Sequence, residues 1–219
     1  MWLTPAMQDL LLDAANETAL MVLAAAGIAI AAGLPLALLL QATAPDGIAR
    51  HAAVNRVLGV VVNAIRSVPF IILMVAIVPF TRAVAGSSIG TTAAIVPLAI
   101  AATAFIVRLF ETALRDVDRG LVEAAQAMGA TRLQIVTHVL VPEAAPGLVA
   151  AITVTLVSLV GYSAMAGAVG GGGLGDLGIR FGYQRFMPEV MAIVVVLLVL
   201  VVQGMQTLGD ALVRRISRK

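Results

Sequence analysis

Four stretches of this chain run for about 20 residues or more without a charged side chain. They cover residues 18–45, 83–107, 144–175 and 190–209. A helix needs about 20 consecutive apolar residues to cross a bilayer, so each stretch is long enough to span one. A fifth uncharged stretch, 67–81, is shorter and reaches spanning length only when Arg66 is included. The pattern predicts an all-α membrane protein with five transmembrane helices.

Composition supports this class and excludes several others. Hydrophobic residues make up 61% of the chain and charged residues 12%, about half the charged share of an average soluble protein. The absence of cysteine excludes disulfides, thiol chemistry and thiolate metal sites. His51 and His138 stand far apart without a matched ligand pattern, so no metal site is expected. The arginines are spread along the chain, and no nucleic-acid partner is expected.

The apolar stretches and the breaks between them give approximate helix bounds. The loops are too short for a separate soluble domain, so we expect a single transmembrane domain over residues 1–219. The predicted helices cover residues 14–42, 58–81, 88–112, 144–168 and 188–212. A polar segment at about 113–142 separates the third helix from the fourth.

The distribution of positive charge predicts how the chain crosses the membrane. With five helices, eleven of the fourteen Lys and Arg residues fall on one side. They are Arg50, Arg56, Arg66, Arg108, Arg115, Arg119, Arg132, Arg214, Arg215, Arg218 and Lys219. Only Arg82, Arg180 and Arg185 fall on the other side. Positive charge concentrates on the cytoplasmic side, so the N-terminus is predicted outside and the C-terminus and segment 113–142 in the cytoplasm.

The polar segment carries clear signals for local structure. A short helix is predicted from Gly120 and ends at Gly129, a common helix-stopping residue. Thr131 and Gln134 have the spacing of a capping box, which predicts the start of a second short helix. Pro142 has no amide hydrogen and therefore suits the first turn of the next span. Two short helices joined by a tight turn would project from the membrane as a compact unit.

The sequence of this projection has a specific resemblance. Residues 123–129 read EAAQAMG, and nine residues later 139–142 read VLVP. The pattern resembles the cytoplasmic loop of permease subunits in bacterial ABC importers, although Val139 and Val141 replace the usual Ile and Leu. The resemblance implies that the loop docks on a separate ATPase subunit. The coupling residues that it implies are Glu123, Ala124, Ala125, Met128 and Gly129. Spacing alone leaves open an ordinary amphipathic hairpin on the membrane surface.

Further segments resemble the permease subunits of bacterial methionine importers. These are NAIRSVPFIIL at 63–73, VPFTR at 78–82, SIG at 88–90, AIVPL at 94–98 and LVGYSAM at 159–165. The similarity covers about residues 55–219, whereas the first 50 fit only in length and hydropathy. It implies the type I ABC importer permease fold in the bacterial inner membrane, with alternating access. The implied partners are a second copy of the chain, two ATPase subunits and an extracytoplasmic methionine-binding lipoprotein.

The resemblance also implies a gate, with Met165 as its closing residue and Tyr162 and Ser163 as polar residues of the path. An ordinary core methionine is the alternative for Met165. A phosphate-binding loop needs a lysine after its glycines, and the only lysine is Lys219. The chain is therefore expected to be non-catalytic and without a cofactor, with ATP and Mg²⁺ bound by the partner ATPase.

Several questions stay open at this point. The solute could be another amino acid or small molecule, and a non-transporting membrane scaffold is the alternative from a different class. Arg66 would cost about 2.5–3.5 kcal/mol at the bilayer centre, so it either reaches the interface or has a function inside the protein. Asp176, Arg180 and Arg185 on the outer loop either contact the binding protein or are simply solvated.

Overall fold

The structure, a computed structural model, describes residues 5–217. Arg218 and Lys219, which count toward the predicted cytoplasmic charge, lie outside the described residues. Within this range every regular element is helical. The α-helices are α1 (Pro5–Thr43), α2 (Ala52–Ser67), α3 (Phe70–Ala76), α4 (Val78–Ala85), α5 (Thr91–Arg115), α6 (Arg119–Ala127), α7 (Arg132–Ile135), α8 (Val141–Gly167), α9 (Gly173–Leu177) and α10 (Pro188–Ser217). Two π-helical turns, Val136–Leu140 and Gly178–Tyr183, follow α7 and α9.

The fold is organised around α1 and α5, which pack along most of their length. A Cβ atom at Gly33 would lie 2.5 Å from Cγ2 of Ile106, so the glycine permits this close approach between the two helices. Helix α8 packs against α5, and α10 packs against α8. The outward faces of α1 and α10 carry exposed aliphatic side chains such as Leu23, Val199 and Leu200. An aliphatic exterior of this kind suits contact with lipid.

The number of membrane-spanning helices is confirmed in the described residues. Four continuous helices are long and apolar enough to cross a membrane, and the bent pair of α2 and α3 makes a fifth when the pair is counted as one span. The predicted ranges 14–42, 88–112 and 188–212 correspond to α1, α5 and α10. Helix α1 begins nine residues earlier, α5 is shifted by three residues toward the C-terminus, and α10 continues to Ser217.

The prediction of one continuous helix over residues 58–81 was wrong. Helices α2 and α3 meet at an angle of 103°, and α4 follows after a further break at Ile77. Pro69 has no amide hydrogen and sterically disfavours helical geometry in the residue before it. Val68 is accordingly extended, with φ −89° and ψ 127°. Residues 58–81 therefore belong to three short helices, α2, α3 and α4, rather than to one.

The prediction of a second separate short helix after Gly129 was also wrong. The capping box of Thr131 and Gln134 is present and starts α7, but α7 continues through a π-helical turn into α8. Residues Arg132–Gly167 therefore form one helix of spanning length, which begins well before the predicted residue 144. Pro142 cannot donate a hydrogen bond to the preceding turn, and the helix widens next to it instead of ending.

The glycine-rich segment after α8 is bonded to the N-terminal half of α1. The carboxylate of Glu17 accepts a hydrogen bond from the amide of Gly173 (2.6 Å), and the hydroxyl of Thr18 accepts one from Leu174 (2.9 Å). A Cβ atom at Gly175 would lie 2.5 Å from Cα of Ala164. These glycines therefore allow the backbone to pack closely on this side of the molecule.

Candidate coupling surface and translocation path

Helix α6 is a short helix whose two ends are fixed by local interactions. The Asp118 side chain accepts a hydrogen bond from the Gly120 amide (2.7 Å) and caps the first turn. At the other end Gly129 has φ +82°, and the amide of Ala130 donates to the carbonyl of Ala125 (3.0 Å). This left-handed glycine turn ends the helix in the usual way. The predicted stop at Gly129 is confirmed.

The coupling residues named from the sequence divide between two faces of α6 and its turn. Glu123, Ala124 and Gly129 are exposed, and Met128 is 81% exposed. Ala125 is only 5% exposed and belongs to the hydrophobic core. We call the exposed set, Glu123, Ala124, Met128 and Gly129, the coupling surface. Ala125 lies behind this surface and holds the helix against the core.

Two kinds of contact attach α6 to the rest of the chain. Val122 and Ala125 pack against the hydrophobic core, and Arg119 forms an ion pair with Asp46 in the loop after α1. Between this loop, the end of α5 and α6 lies a polar cavity of about 360 Å³. The apolar contacts and the ion pair thus connect the coupling surface to the C-terminal ends of α1 and α5.

A buried charge cluster lies at the C-terminal end of α5, and the sequence reasoning did not identify it. The Glu111 side chain is 7% exposed and accepts hydrogen bonds from Arg108 (2.6 Å) and Arg115 (2.7 Å). Arg108 also donates to the carbonyl of Gly59 in α2 (3.2 Å). Glu111 compensates the two arginines, and Arg108 joins the first half of the broken span to α5.

These ionic contacts differ in whether the sequence signals them. Arg108, Glu111 and Arg115 have the i,i+3 and i,i+4 spacing of side chains that meet on one helix face, so the cluster could have been found. Arg119 and Asp46 are 73 positions apart, and no local pattern relates them. Only the packing of α6 under the α1–α2 loop brings this pair together.

The residues predicted for the path occupy different environments along α8. Met165 is 48% exposed on the open face of the helix. Tyr162 is half-buried and stacks on Phe70, with ring centroids 4.9 Å apart and an interplanar angle of 14°. Ser163 is 2% exposed and donates its hydroxyl hydrogen to the carbonyl of Val160 (2.8 Å). Met165 and Tyr162 can therefore face a path through an assembly, whereas Ser163 faces its own subunit.

The two histidines have structural partners. The His51 ring accepts a hydrogen bond from the Val54 amide (3.3 Å) at the start of α2. His138 lies beside the Thr137 hydroxyl (2.9 Å) in the π-helical turn. Across residues 5–217 no three metal-ligating side chains of the His, Cys, Asp and Glu types are grouped together.

Comparison with known proteins gives full-length relatives. The chain is 54% identical over 211 residues to the probable D-methionine transport system permease protein MetI of Vibrio cholerae, covering 96% of this chain and 94% of that protein. It is 48% identical over 217 residues to the corresponding Pasteurella multocida protein, covering 99% and 100%. With the Escherichia coli K12 protein, D-methionine transport system permease protein MetI, identity is 55% over 62% of each chain.

Solved structures show the same fold. A crystal form described as an inward-facing conformation of the MetNI methionine ABC transporter matches with a TM-score of 0.96 and 48% identity, over 98% of this chain and 99% of that one. An amino acid ABC transporter crystallised with histidines matches with a TM-score of 0.80 at 19% identity, over 96% and 95%, and this second match concerns the fold alone. The sequence of residues 29–219 matches the protein-family model of the binding-protein-dependent transport system inner membrane component. The chain therefore belongs to the family of binding-protein-dependent transport system inner membrane components.

Proposed function

We propose that this chain is the permease subunit of an ATP-driven importer that carries methionine across the bacterial inner membrane. The observation that carries the proposal is the similarity over nearly the whole chain to a methionine ABC transporter, with 48% identity and a TM-score of 0.96. The full-length relatives named for methionine transport support the same solute.

ATP is bound and hydrolysed by a separate ATPase subunit that docks on the coupling surface. Met128 and Gly129 offer an exposed turn without a bulky neighbour, and Glu123 adds a charged contact on the same face. Movement of the docked ATPase reaches the spans through the core contacts of Ala125 and through the ion pair of Arg119 with Asp46. The chain itself performs no catalysis, and ATP and Mg²⁺ remain with the partner.

The assembly contains two copies of this chain, two ATPase subunits and an extracytoplasmic methionine-binding lipoprotein. The coupling surface lies at the same end of the molecule as the arginine-rich cytoplasmic segments. The N-terminus is therefore outside and the C-terminus in the cytoplasm. Exposed side chains on α8, including Met165, then lie toward the outer half of the path and close it as a gate when the assembly faces inward.

Transport by reconstituted components tests this function. Proteoliposomes would hold the chain with its co-encoded ATPase, with the binding protein added outside and labelled L-methionine as the solute. We expect methionine uptake to require all three chains and ATP. An excess of other amino acids should not inhibit this uptake.

The possible failures are informative in different ways. ATPase activity and assembly without methionine uptake would reject methionine as the solute and retain the importer. If the chain associates with no ATPase, the importer itself is rejected and a membrane scaffold becomes the better account.

A further inference from the structure

A cavity lies at the point where the second span breaks. Its volume is about 210 Å³, and its walls include Arg66, Val68, Phe70, Ala101, Phe105 and Tyr162. Sites for drug-sized ligands usually measure about 300–1,000 Å³, so this cavity fits a small solute such as one amino acid. It is formed by α2, α3, α5 and α8 together, and it lies apart from the coupling surface.

The backbone around this cavity is unusual for a membrane-spanning segment. Residues between α2 and α3 leave helical geometry at Val68 and Pro69, and both are exposed. Non-helical backbone within a membrane is tolerated where it is buried in protein or where it lines a water-filled cavity. An exposed break of this kind is compatible with an aqueous space inside the assembly, where its free backbone groups would be hydrated, and is disfavoured against lipid.

Arg66 is the charged residue of the cavity; it is exposed, and like seven other arginines of the described residues it forms no ion pair. Four arginines, Arg108, Arg115, Arg119 and Arg180, form ion pairs with carboxylates. Within residues 5–217 no Asp or Glu oxygen lies within 4 Å of the Arg66 guanidinium. An arginine in a membrane span is costly and is usually retained for a function. The planar guanidinium is well suited to bind a carboxylate through two parallel hydrogen bonds.

Aromatic side chains also line the cavity. Phe70 and Tyr162 stack with their ring centroids 4.9 Å apart, and Phe105 contributes a third ring to the lining. Thioether sulfur makes favourable contacts with the edges of aromatic rings. A cation and aromatic rings within one small cavity match the two ends of an amino acid that has an apolar, sulfur-containing side chain.

The cavity also has a definite relation to the proposed gate. Tyr162 and Met165 are separated by three positions on α8, so they are neighbours on one helix face. Because α8 runs from the cytoplasmic segment outward, Met165 lies one turn to the outer side of Tyr162. A solute in the cavity would therefore lie on the inner side of a gate formed by Met165.

We propose that this cavity is a substrate-binding site within the permease, distinct from the site on the external binding protein. Arg66 binds the carboxylate of the amino acid, and the stacked pair of Phe70 and Tyr162 contacts its side chain. The inference rests on the proposed function, because it takes methionine as the solute that enters the path.

Equilibrium binding to the assembled complex tests the proposal. The chain and its ATPase would be held in lipid nanodiscs without ATP and without the binding protein, and titrated with labelled L-methionine up to about 10 mM. Methioninol, which lacks the carboxylate, would compete against the label. The test variants are Arg66→Gln and Arg66→Lys. The control is Arg82→Gln, which removes a positive charge from α4. Arg82 lies outside the cavity and donates a hydrogen bond to the hydroxyl of Ser88.

We expect Arg66→Gln to raise the half-saturating concentration of methionine about tenfold or more. Arg66→Lys should recover part of this loss, and Arg82→Gln should bind like the wild type. Methioninol should compete with the wild type about tenfold more weakly than unlabelled methionine does, and Arg66→Gln should abolish the difference between the two ligands. The comparison of ligands on the wild type needs no variant to fold.

Two results would overturn the proposal while leaving the proposed function intact. The first is normal methionine uptake by the full system together with no binding of labelled methionine to the wild-type complex in nanodiscs. The other is binding that Arg66→Gln and methioninol leave unchanged, which would make the cavity a solvated space without a ligand. Absence of methionine uptake by the complete wild-type system would instead reject the proposed function, and this inference with it.

Discussion

The coupling helix and the break in the second span both depart from a plain bundle of spanning helices, but they arise differently. Helix α6 is bounded by Asp118 and Gly129, whose contacts reach no more than a few residues along the chain. The break at Pro69 gains its cavity from residues of α5 and α8 that lie more than 30 positions away in sequence. One region is thus built from local capping chemistry, and the other from the meeting of distant helices.

This difference indicates where each region is sensitive to mutation. The conformation of the coupling turn depends on single residues such as Gly129, and its surroundings are open. The break is supported by packing between helices, and Arg108 fixes one side of it through the Gly59 carbonyl. Substitutions in the turn should therefore affect coupling to the ATPase, whereas substitutions around the break should affect stability and the path.

The largest effect is expected for Gly129→Val. A β-branched residue at φ +82° is strained by about 1–3 kcal/mol, so the turn would change shape and lose its fit to the ATPase. We expect methionine uptake per ATP hydrolysed to fall at least about tenfold, while the protein still inserts. Uptake and ATPase rates in proteoliposomes measure this ratio.

Gly86→Val is the matched control for that variant. Gly86 has φ +74° and, like Gly129, open space where a Cβ atom would be placed, but it ends α4 on the opposite side of the membrane. Both variants should lose similar stability, and only Gly129→Val should uncouple. Equal uncoupling by both would show that general strain, and not docking, is responsible.

The next largest effect concerns the buried charge cluster that joins α5 to the first half of the broken span. Glu111→Gln removes the carboxylate that compensates Arg108 and Arg115. Loss of a charged hydrogen-bond acceptor in a buried position should lower stability by about 1.5–3 kcal/mol. The thermal midpoint of the purified Glu111→Gln complex should fall clearly below that of the wild type. The control is Glu189→Gln, which alters an exposed residue in the first turn of α10 and should keep the wild-type midpoint. Equal midpoints for the two variants would contradict a structural role for Glu111.

A smaller effect is expected for Met165→Ala at the gate. Truncation of a half-exposed side chain costs little stability, but it removes the flexible thioether that closes the path. We expect a higher basal ATPase rate or a leak of methionine in the absence of the binding protein. Met205→Ala on α10, where the methionine packs against the core, should not share this effect. Unchanged basal rates would assign Met165 to ordinary packing.

The smallest effect is expected for the exposed ion pair of Arg119 and Asp46. Exposed pairs contribute about 0.2–1 kcal/mol and are weakened by salt. Arg119→Asp should reduce uptake per ATP hydrolysed modestly at low salt, and the exchanged pair Arg119→Asp with Asp46→Arg should restore it. If the double variant is no better than the single ones, the ion pair does not transmit movement from α6.

Much of the architecture follows from the sequence by itself. The uncharged stretches gave five spans because a helix must satisfy its own backbone hydrogen bonds in lipid. The capping box at Thr131 and the stop at Gly129 were predicted correctly because caps and left-handed turns are local interactions. The motif around residues 123–129 also identified the family, since its spacing is specific.

Tertiary structure decided how these elements are used. The second span was predicted as continuous because hydropathy does not respond to the steric effect of Pro69 on Val68. Helix α7 was predicted as separate because a π-helical turn that joins two helices has no sequence signal that we used. Ala125 was predicted from the sequence to be a coupling residue, but it packs against the core and is buried.

The cavity and the long-range ion pair depend on tertiary structure for the same physical reason. Arg66 and Tyr162 line one space, and Arg119 meets Asp46, only because spans far apart in the chain pack side by side. Hydropathy and caps depend on residues that are neighbours in sequence, so the chain alone determined the number of spans, the caps and the family. Which side chains face each other across the path is fixed by the packing angles of whole helices, and only the folded structure determined that.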